Sequence, residues 1–171
     1  MIRKLAIIYG LGGGWLDPAS GDRYLLARAK AVGFVVPDQP FDYTDNQGIY
    51  NFLKDADWRG GAGDSFGATF PPSYFAQFDY HIDYFAGFQP SIHASVVRDD
   101  DTILIPTQVK YCHCVRDPDW LDTAGLGYAK YVVADRTKTT LVETDHRGAH
   151  PDNYGPMQDL IFAELKMKAG V

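Results

Sequence analysis

The chain has 171 residues, enough for one domain with a sizeable core, and 46% of them are hydrophobic. Against 16 Lys and Arg stand 22 Asp and Glu, which gives a net charge of −6. The sequence contains no cluster of basic residues, which argues against nucleic acid as a partner. It also lacks an apolar run of the roughly 20 residues that a membrane span requires.

The first predicted element is a strand at Leu5–Tyr9, a continuous apolar run followed by glycines. Such a run suits a strand that is buried on both faces of a parallel sheet. Basic residues before an apolar run are also found in signal peptides. This run is shorter than the ~7–15 residues of such a segment, and no small-residue cleavage site follows it. We therefore expect a cytoplasmic protein.

Helices and strands are predicted to alternate along the rest of the chain. Apolar residues at helical spacing predict three helices, at residues 24–31, 45–57 and 154–168. Short apolar runs predict four further strands, at residues 34–36, 82–88, 109–115 and 139–143. This alternation indicates one α/β domain over residues 1–171, with three layers: a mainly parallel sheet of about five strands and helices on both faces.

The two cysteines of the chain, Cys112 and Cys114, flank His113. On a strand the two thiols point the same way, but they are too close in sequence for an ordinary disulfide. His113 would face the opposite side, which does not suit a shared metal. We therefore interpret the cysteines as buried small hydrophobic residues, with redox or metal chemistry as the alternative.

The segment Gly63–Gly67 has the pattern G-x-S-x-G, with Ser65 at its centre. This pattern is typical of a sharp strand-to-helix turn in which the serine has strained backbone angles and its hydroxyl is presented above a sheet. A plain glycine-rich loop gives the same pattern, so the surrounding sequence decides between the two. The glycine turn at residues 10–13 lies upstream, and acidic residues and then histidines follow later strands. Serine, acid and histidine in this order favour the catalytic turn.

In these features the chain resembles the small serine hydrolases of the α/β-hydrolase superfamily, of cutinase-like or lipase-like size. The resemblance implies a minimal α/β-hydrolase fold and a Ser-His-Asp triad that needs no cofactor and no metal. Ser65 would be the nucleophile, and the amide of Phe66 one donor of the oxyanion hole. The second donor would be the amide of Leu11 or Gly12.

The triad histidine is sought between the last predicted strand and the last helix. His146 and His150 both lie there. We favour His150, because it directly precedes the last helix and Pro151 holds its backbone extended. The other histidines are interpreted as structural.

The triad acid is not marked by a motif. We favour Asp117, because it directly follows a predicted strand and precedes the histidines. Asp119 and Asp122 remain alternatives. Five aromatic residues either line an acyl pocket or belong to the core: Trp15, Phe70, Tyr74, Phe75 and Phe88.

Two features depart from the hydrolase pattern. The segment 58–62 before the serine is rich in glycine and predicts a poor strand, and Pro71 and Pro72 interrupt the helix that should follow the serine.

The predicted activity is hydrolysis of a small acyl ester or thioester. The alternative is an inactive hydrolase-like scaffold that serves as a binding or assembly module. A GDS-type lipase fits less well, because its serine normally follows the first strand.

Overall fold

The computed structural model of the chain describes residues 1–10, 21–88, 90, 102–116, 129–145 and 154–171. The strands are β1 (Arg3–Tyr9), β2 (Phe41–Asp42), β3 (Trp58–Asp64), β4 (Tyr84–Phe88), β5 (Thr102–Ile105), β6 (Tyr111–Arg116), β7 (Lys130–Val133) and β8 (Thr140–Asp145). The helices are α1 (Gly21–Ala31), α2 (Asn46–Leu53), α3 (Phe66–Thr69), α4 (Pro71–Phe75) and α5 (Tyr154–Ala169).

The main sheet has six strands in the order β2-β1-β3-β4-β6-β8. All of its pairings between described strands are parallel. Strands β5 and β7 form a separate two-stranded parallel sheet. The predicted mainly parallel sheet is therefore confirmed, with six strands where about five were expected. None of the described helices is long and apolar enough to cross a membrane.

Four strands are not among the predicted ones: β2 and β3 of the main sheet, and β5 and β7 of the small sheet. The expectation of a poor strand at residues 58–62 is wrong. β3 lies between β1 and β4, in the interior of the sheet. A Cβ added to Gly60 would lie 2.6 Å from the Trp58 ring, and one added to Gly61 would lie 3.0 Å from the Phe85 ring. Neighbouring aromatic side chains thus occupy the space above the glycines, and the strand needs no apolar side chains of its own there.

The predicted strand at residues 34–36 is reduced to one bridge, between Lys4 and Val35. The edge of the sheet is formed instead by β2, which pairs with the end of β1. The predicted start of α2 is confirmed, since the Asp45 side chain accepts a hydrogen bond from the Gly48 amide at 2.9 Å. The last helix also agrees with its prediction, running from Tyr154 to Ala169.

Alternation along β1 divides the core into two clusters. Leu5 and Ile7 pack in a cluster with residues of α1 and α5. Ala6 and Ile8 pack in a second cluster with residues of α2, α4 and both strands of the small sheet. Because successive side chains of a strand point to opposite faces, the two clusters lie on opposite faces of the sheet. β1 is therefore buried on both faces, as its continuous apolar run predicts.

Candidate active site

Ser65 lies directly after β3, at the carboxyl end of the parallel sheet. The chain passes from β1 outward to β2, then returns across β1 to form β3 and continues to β4. The direction of strand addition therefore reverses between β1 and β3. Open parallel sheets bind ligands beyond the carboxyl ends of the strands at such a reversal. Ser65 is thus at the position where this topology favours a binding site.

The backbone of Ser65 has φ 49° and ψ −115°, and no other described residue except glycine has a positive φ. A non-glycine residue in such a region costs about 1–3 kcal/mol and persists only when its surroundings hold it there. The Ser65 amide donates to the Phe88 carbonyl of β4 at 2.9 Å. Its carbonyl accepts from the amides of Ala68 and Thr69 at 3.0 and 3.1 Å. The structure therefore has the strained strand-to-helix turn that the sequence predicts.

Glycines allow this turn to pack closely against its neighbours. A Cβ on Gly63 would lie 2.2 Å from the Gly67 carbonyl oxygen. A Cβ on Gly67 would lie 2.3 Å from the carbonyl oxygen of Ile8 in β1. Both distances are far below van der Waals contact, so only glycine fits either position. We call the segment Gly63–Gly67 the elbow.

The end of β1 is fixed against the elbow. Gly10 directly follows β1, and a Cβ on it would lie 2.8 Å from the Cβ of Ser65. The missing side chain of Gly10 therefore lets the chain pass close to the serine. The Gly10 amide donates to Asp64 Oδ1 at 3.0 Å. The next two residues, Leu11 and Gly12, are the alternatives predicted for the second oxyanion donor, and both lie outside the described residues. Phe66, the other predicted donor, is the first residue of α3.

The helix after the serine is one turn long. α3 ends at Thr69, and α4 begins at Pro71, with the Phe70 amide bonded to the Phe66 carbonyl at 3.0 Å. The predicted interruption is confirmed, and the next helix begins at the prolines themselves. Proline is accepted there because the first positions of a helix do not need an amide donor.

A residue that the sequence did not single out forms a hydrogen bond with α3. Tyr131, in β7, is buried, and its hydroxyl donates to the Ala68 carbonyl at 2.6 Å. The hydroxyl lies 2.0 Å from where a Cβ of Gly87 would be. The missing side chain of Gly87 in β4 therefore makes room for the bond that joins the small sheet to the helix after Ser65.

Strands β6 and β8 end at the same edge of the sheet as β3, because all three are parallel. Arg116, at the end of β6, pairs with Glu143 at 3.4 Å and with Asp145 at 3.2 Å, and so joins the ends of β6 and β8. The predicted acids and histidines come one to six residues after these strand ends in the sequence. They lie outside the described residues: Asp117, Asp119, Asp122, His146 and His150.

A cluster of polar side chains around Glu164 was missed at the sequence level. His113 Nδ1 lies 2.7 Å from Glu164 Oε2, and His113 Nε2 lies 2.9 Å from Thr144 Oγ1. The hydroxyls of Tyr84 and Tyr111 also donate to Glu164. We call these five residues the polar cluster. They come from β4, β6, β8 and α5, so no local pattern in the sequence connects them.

Charge in the polar cluster is concentrated on Glu164. Burial raises the pKa of this carboxyl, but hydrogen bonds from Tyr111, His113 and Tyr84 outweigh burial, and the pKa is lowered from its ordinary value. Burial, with the Glu164 carboxylate, raises the pKa values of both tyrosines. Glu164 is therefore an ionised acceptor at neutral pH, surrounded by neutral hydroxyl donors.

Cys112 and Cys114 are buried in the cluster opposite the face of His113, as predicted. Burial raises the pKa of Cys112 well above its ordinary value and that of Cys114 to about 12. The thiols are therefore protonated and poor nucleophiles. Within the part of the chain that the structure describes, no three His, Cys, Asp or Glu residues are grouped to hold a metal ion.

The aromatic residues suggested for an acyl pocket divide into two groups. Phe75 and Phe88 are buried in the two core clusters. Tyr74 is half-buried, and Phe70 keeps 39% of its surface exposed. Trp15 lies outside the described residues. Only Phe70 and Tyr74 are therefore accessible to a substrate among the described members of this set.

No family model matches the chain, and no match was found among curated proteins or among solved structures. The functional assignment therefore depends on the geometry of the elbow and on the order of the strand ends.

Proposed function

We propose that the chain is a serine hydrolase of small acyl esters or thioesters, with a minimal three-layer α/β-hydrolase fold. The observation that carries the proposal is the backbone of Ser65, held at positive φ at the carboxyl end of an interior strand. Strain of this size in a non-glycine residue is typical of functional sites. The close-packed glycines around it supply the structural context that makes a G-x-S-x-G pattern informative.

The order of the strands supports Asp117 and His150 as the other members of the triad. β6 and β8, which these residues follow, lie beyond β4 on the same side of β3. Neighbouring strands are roughly 4.8 Å apart, so β8 is about 14 Å from β3. Five extended residues reach about 17 Å, enough to bring His150 from the end of β8 to Ser65. His146 is one residue beyond β8, with a reach of about 3.5 Å, which favours His150.

The oxyanion hole would combine the amide of Phe66 with that of Leu11 or Gly12. The contact between Gly10 and the elbow supports this arrangement, because Leu11 and Gly12 continue the chain from a point already beside Ser65. Each such donor contributes about 2.7–4 kcal/mol to transition-state stabilisation in other serine hydrolases.

The reaction follows from these roles. Ser65 Oγ bonds to the acyl carbon as His150 accepts the proton of the Ser65 hydroxyl. Asp117 orients the imidazole of His150. The bond to the leaving group then breaks, and the proton passes from His150 to the leaving oxygen or sulfur. Water then attacks the acyl carbon as His150 takes its proton. The bond between the acyl carbon and Ser65 Oγ breaks, the carboxylic acid leaves, and the proton returns from His150 to Ser65 Oγ.

Hydrolysis of p-nitrophenyl acetate and of a short acyl thioester tests the proposal. Ser65→Ala and His150→Ala are expected to lower kcat by about a thousandfold or more. Ser73→Ala, at an exposed serine of α4, is the matched control and should retain wild-type kcat. A well-folded wild-type protein that hydrolyses neither substrate would contradict the proposal and favour the inactive scaffold that binds a partner.

A further inference from the structure

Three aromatic side chains form a closed set of ring contacts beside the elbow. The ring centroids of Tyr43 and Phe66 are 5.3 Å apart, and those of Tyr43 and Phe70 are also 5.3 Å apart. Phe66 and Phe70 contact each other at 5.5 Å, with their planes at 85°. We call these residues the aromatic trio. Each ring thus touches the other two in geometries that aromatic pairs prefer.

The aromatic trio lies on one particular side of Ser65. Phe66 directly follows the serine, and Phe70 is one helical turn further along the chain. Tyr43 follows β2, which is the edge strand beyond β1. The trio therefore extends from Ser65 toward the β1–β2 side of the sheet. Strands β6 and β8, which precede the proposed acid and histidine, are on the opposite side.

We propose that the aromatic trio binds the acyl group of the substrate and selects a neutral acyl group that carries an aromatic ring. This inference rests on the proposed serine hydrolase activity. In that reaction the histidine must protonate the leaving group, so the leaving group lies on the side of β6 and β8. The acyl group, which stays bonded to Ser65 Oγ while the leaving group departs, is then directed to the side of the trio.

The surface of the trio fits a flat apolar group. Phe70 is 39% exposed, while Phe66 and Tyr43 are partly buried and fixed by their mutual contacts. A substrate ring that packs on them gains edge-to-face or offset contacts in addition to apolar burial. A methyl group, as in an acetyl ester, is too small to make these contacts with more than one ring.

The charge near the trio favours a neutral acyl group. Asp42 immediately precedes Tyr43 at the end of β2. Burial, followed by the charge of Asp42, raises the pKa of Tyr9 at the end of β1. Burial, followed by the nearby Tyr43 and Asp42, also raises the pKa of Tyr74. A carboxylate at this position repels an acyl group that carries a second negative charge.

The test compares kcat/KM for p-nitrophenyl phenylacetate and p-nitrophenyl acetate, two esters with the same leaving group. Phe70→Ala is expected to lower the ratio of the two values, phenylacetate over acetate, about tenfold. Phe70→Leu keeps an apolar side chain but loses the ring, and should lower the ratio by less. The matched control is Leu160→Ala in α5, because Leu160 is also 39% exposed. It should leave the ratio within about twofold of wild type.

The outcomes separate this inference from the function on which it rests. If wild type hydrolyses both esters and Phe70→Ala leaves the ratio unchanged, the trio does not bind the acyl group, although the hydrolase assignment stands. A second series keeps the acetyl group and compares phenyl with ethyl as the alcohol. If Phe70→Ala alters selectivity only there, the trio binds the leaving group and the inference is wrong. If wild type hydrolyses no ester, the proposed function fails and the inference fails with it.

Discussion

The elbow and the polar cluster are stabilised in opposite ways. The elbow is formed where side chains are absent, since glycines allow β1, β3 and α3 to approach to distances that a Cβ would prevent. The polar cluster is formed by side chains alone, with Glu164 accepting bonds from three other residues of the cluster. The elbow holds Ser65 at a strained, positive φ. The polar cluster joins α5 to three strands, and none of its five residues has a positive φ.

This difference determines what each region tolerates. Close packing of backbone fails when a single methyl group is added. A hydrogen-bonded cluster fails when an acceptor is removed and several buried donors lose their partner. The two regions should therefore respond to opposite kinds of substitution, one that adds atoms and one that removes them.

The largest effect is expected from Gly67→Ala in the elbow. The added Cβ would lie 2.3 Å from the Ile8 carbonyl oxygen, and backbone cannot move aside without shifting β1. We expect the free energy of unfolding to fall by about 3 kcal/mol, measured by urea denaturation. The control is Gly33→Ala, where φ is +92° but no atom lies within 4 Å of the new Cβ, and the loss should be about 1 kcal/mol. Gly67 has no positive φ, so a loss no larger than that of Gly33→Ala would contradict the close packing of the elbow.

Glu164→Ala should have the next largest effect, because it removes the acceptor at the centre of the polar cluster. The hydroxyls of Tyr84 and Tyr111 and the His113 ring lose a shared partner, and we expect a loss of about 2 kcal/mol in urea denaturation. Asp159→Ala on the same helix is the control. The Asp159 side chain, which pairs with Arg28 at 2.6 Å, is 64% exposed, and the loss there should stay below about 1 kcal/mol. A Glu164 variant as stable as the Asp159 variant would show that the cluster contributes little.

Ser65→Gly should stabilise the protein while removing the proposed nucleophile. Glycine adopts the φ of 49° without strain, so we expect a gain of about 1 kcal/mol in the free energy of unfolding. The same substitution at Ser73, in helix α4, should cost about 0.5 kcal/mol. Destabilisation by both substitutions would mean that Ser65 is not under strain.

The smallest effect is a dependence of stability on pH that comes from the polar cluster. The pKa of Glu164 is lower in the folded protein than in the unfolded chain. Its contribution to stability is therefore present above the unfolded pKa of about 4.5 and is lost as the pH falls through the folded pKa. Comparison of wild type with Glu164→Gln by thermal unfolding between pH 3 and 7 isolates this contribution. Parallel pH profiles for the two proteins would contradict the lowered pKa.

The sequence predicts the elements whose signals are local. The apolar run of β1 and the helical spacing of apolar residues in α2 and α5 all lead to elements that the structure contains. β3 could not be predicted in the same way, because Gly60 and Gly61 owe their place in a strand to the rings of Trp58 and Phe85. Trp58 is only two residues before Gly60, but Phe85 belongs to β4.

The same distinction applies to the sites. The elbow could be predicted because its glycines and serine lie within one segment of five residues and each has a fixed steric role. The polar cluster and the aromatic trio depend on contacts such as that of His113 with Glu164, 51 residues apart. His113 was predicted to be structural and to face away from the cysteines, but its partner could not be identified before the helix was placed on the sheet.

Reaction of the folded protein with a fluorophosphonate probe, followed by peptide mapping, tests the proposed role of Ser65 most directly. An activated serine at the elbow predicts one covalent adduct, on the peptide that contains Ser65, and its loss in Ser65→Ala and His150→Ala. The Ser73→Ala protein should be labelled like wild type. An unlabelled wild-type protein, or an adduct that persists in Ser65→Ala, would contradict the assignment of Ser65 as the nucleophile.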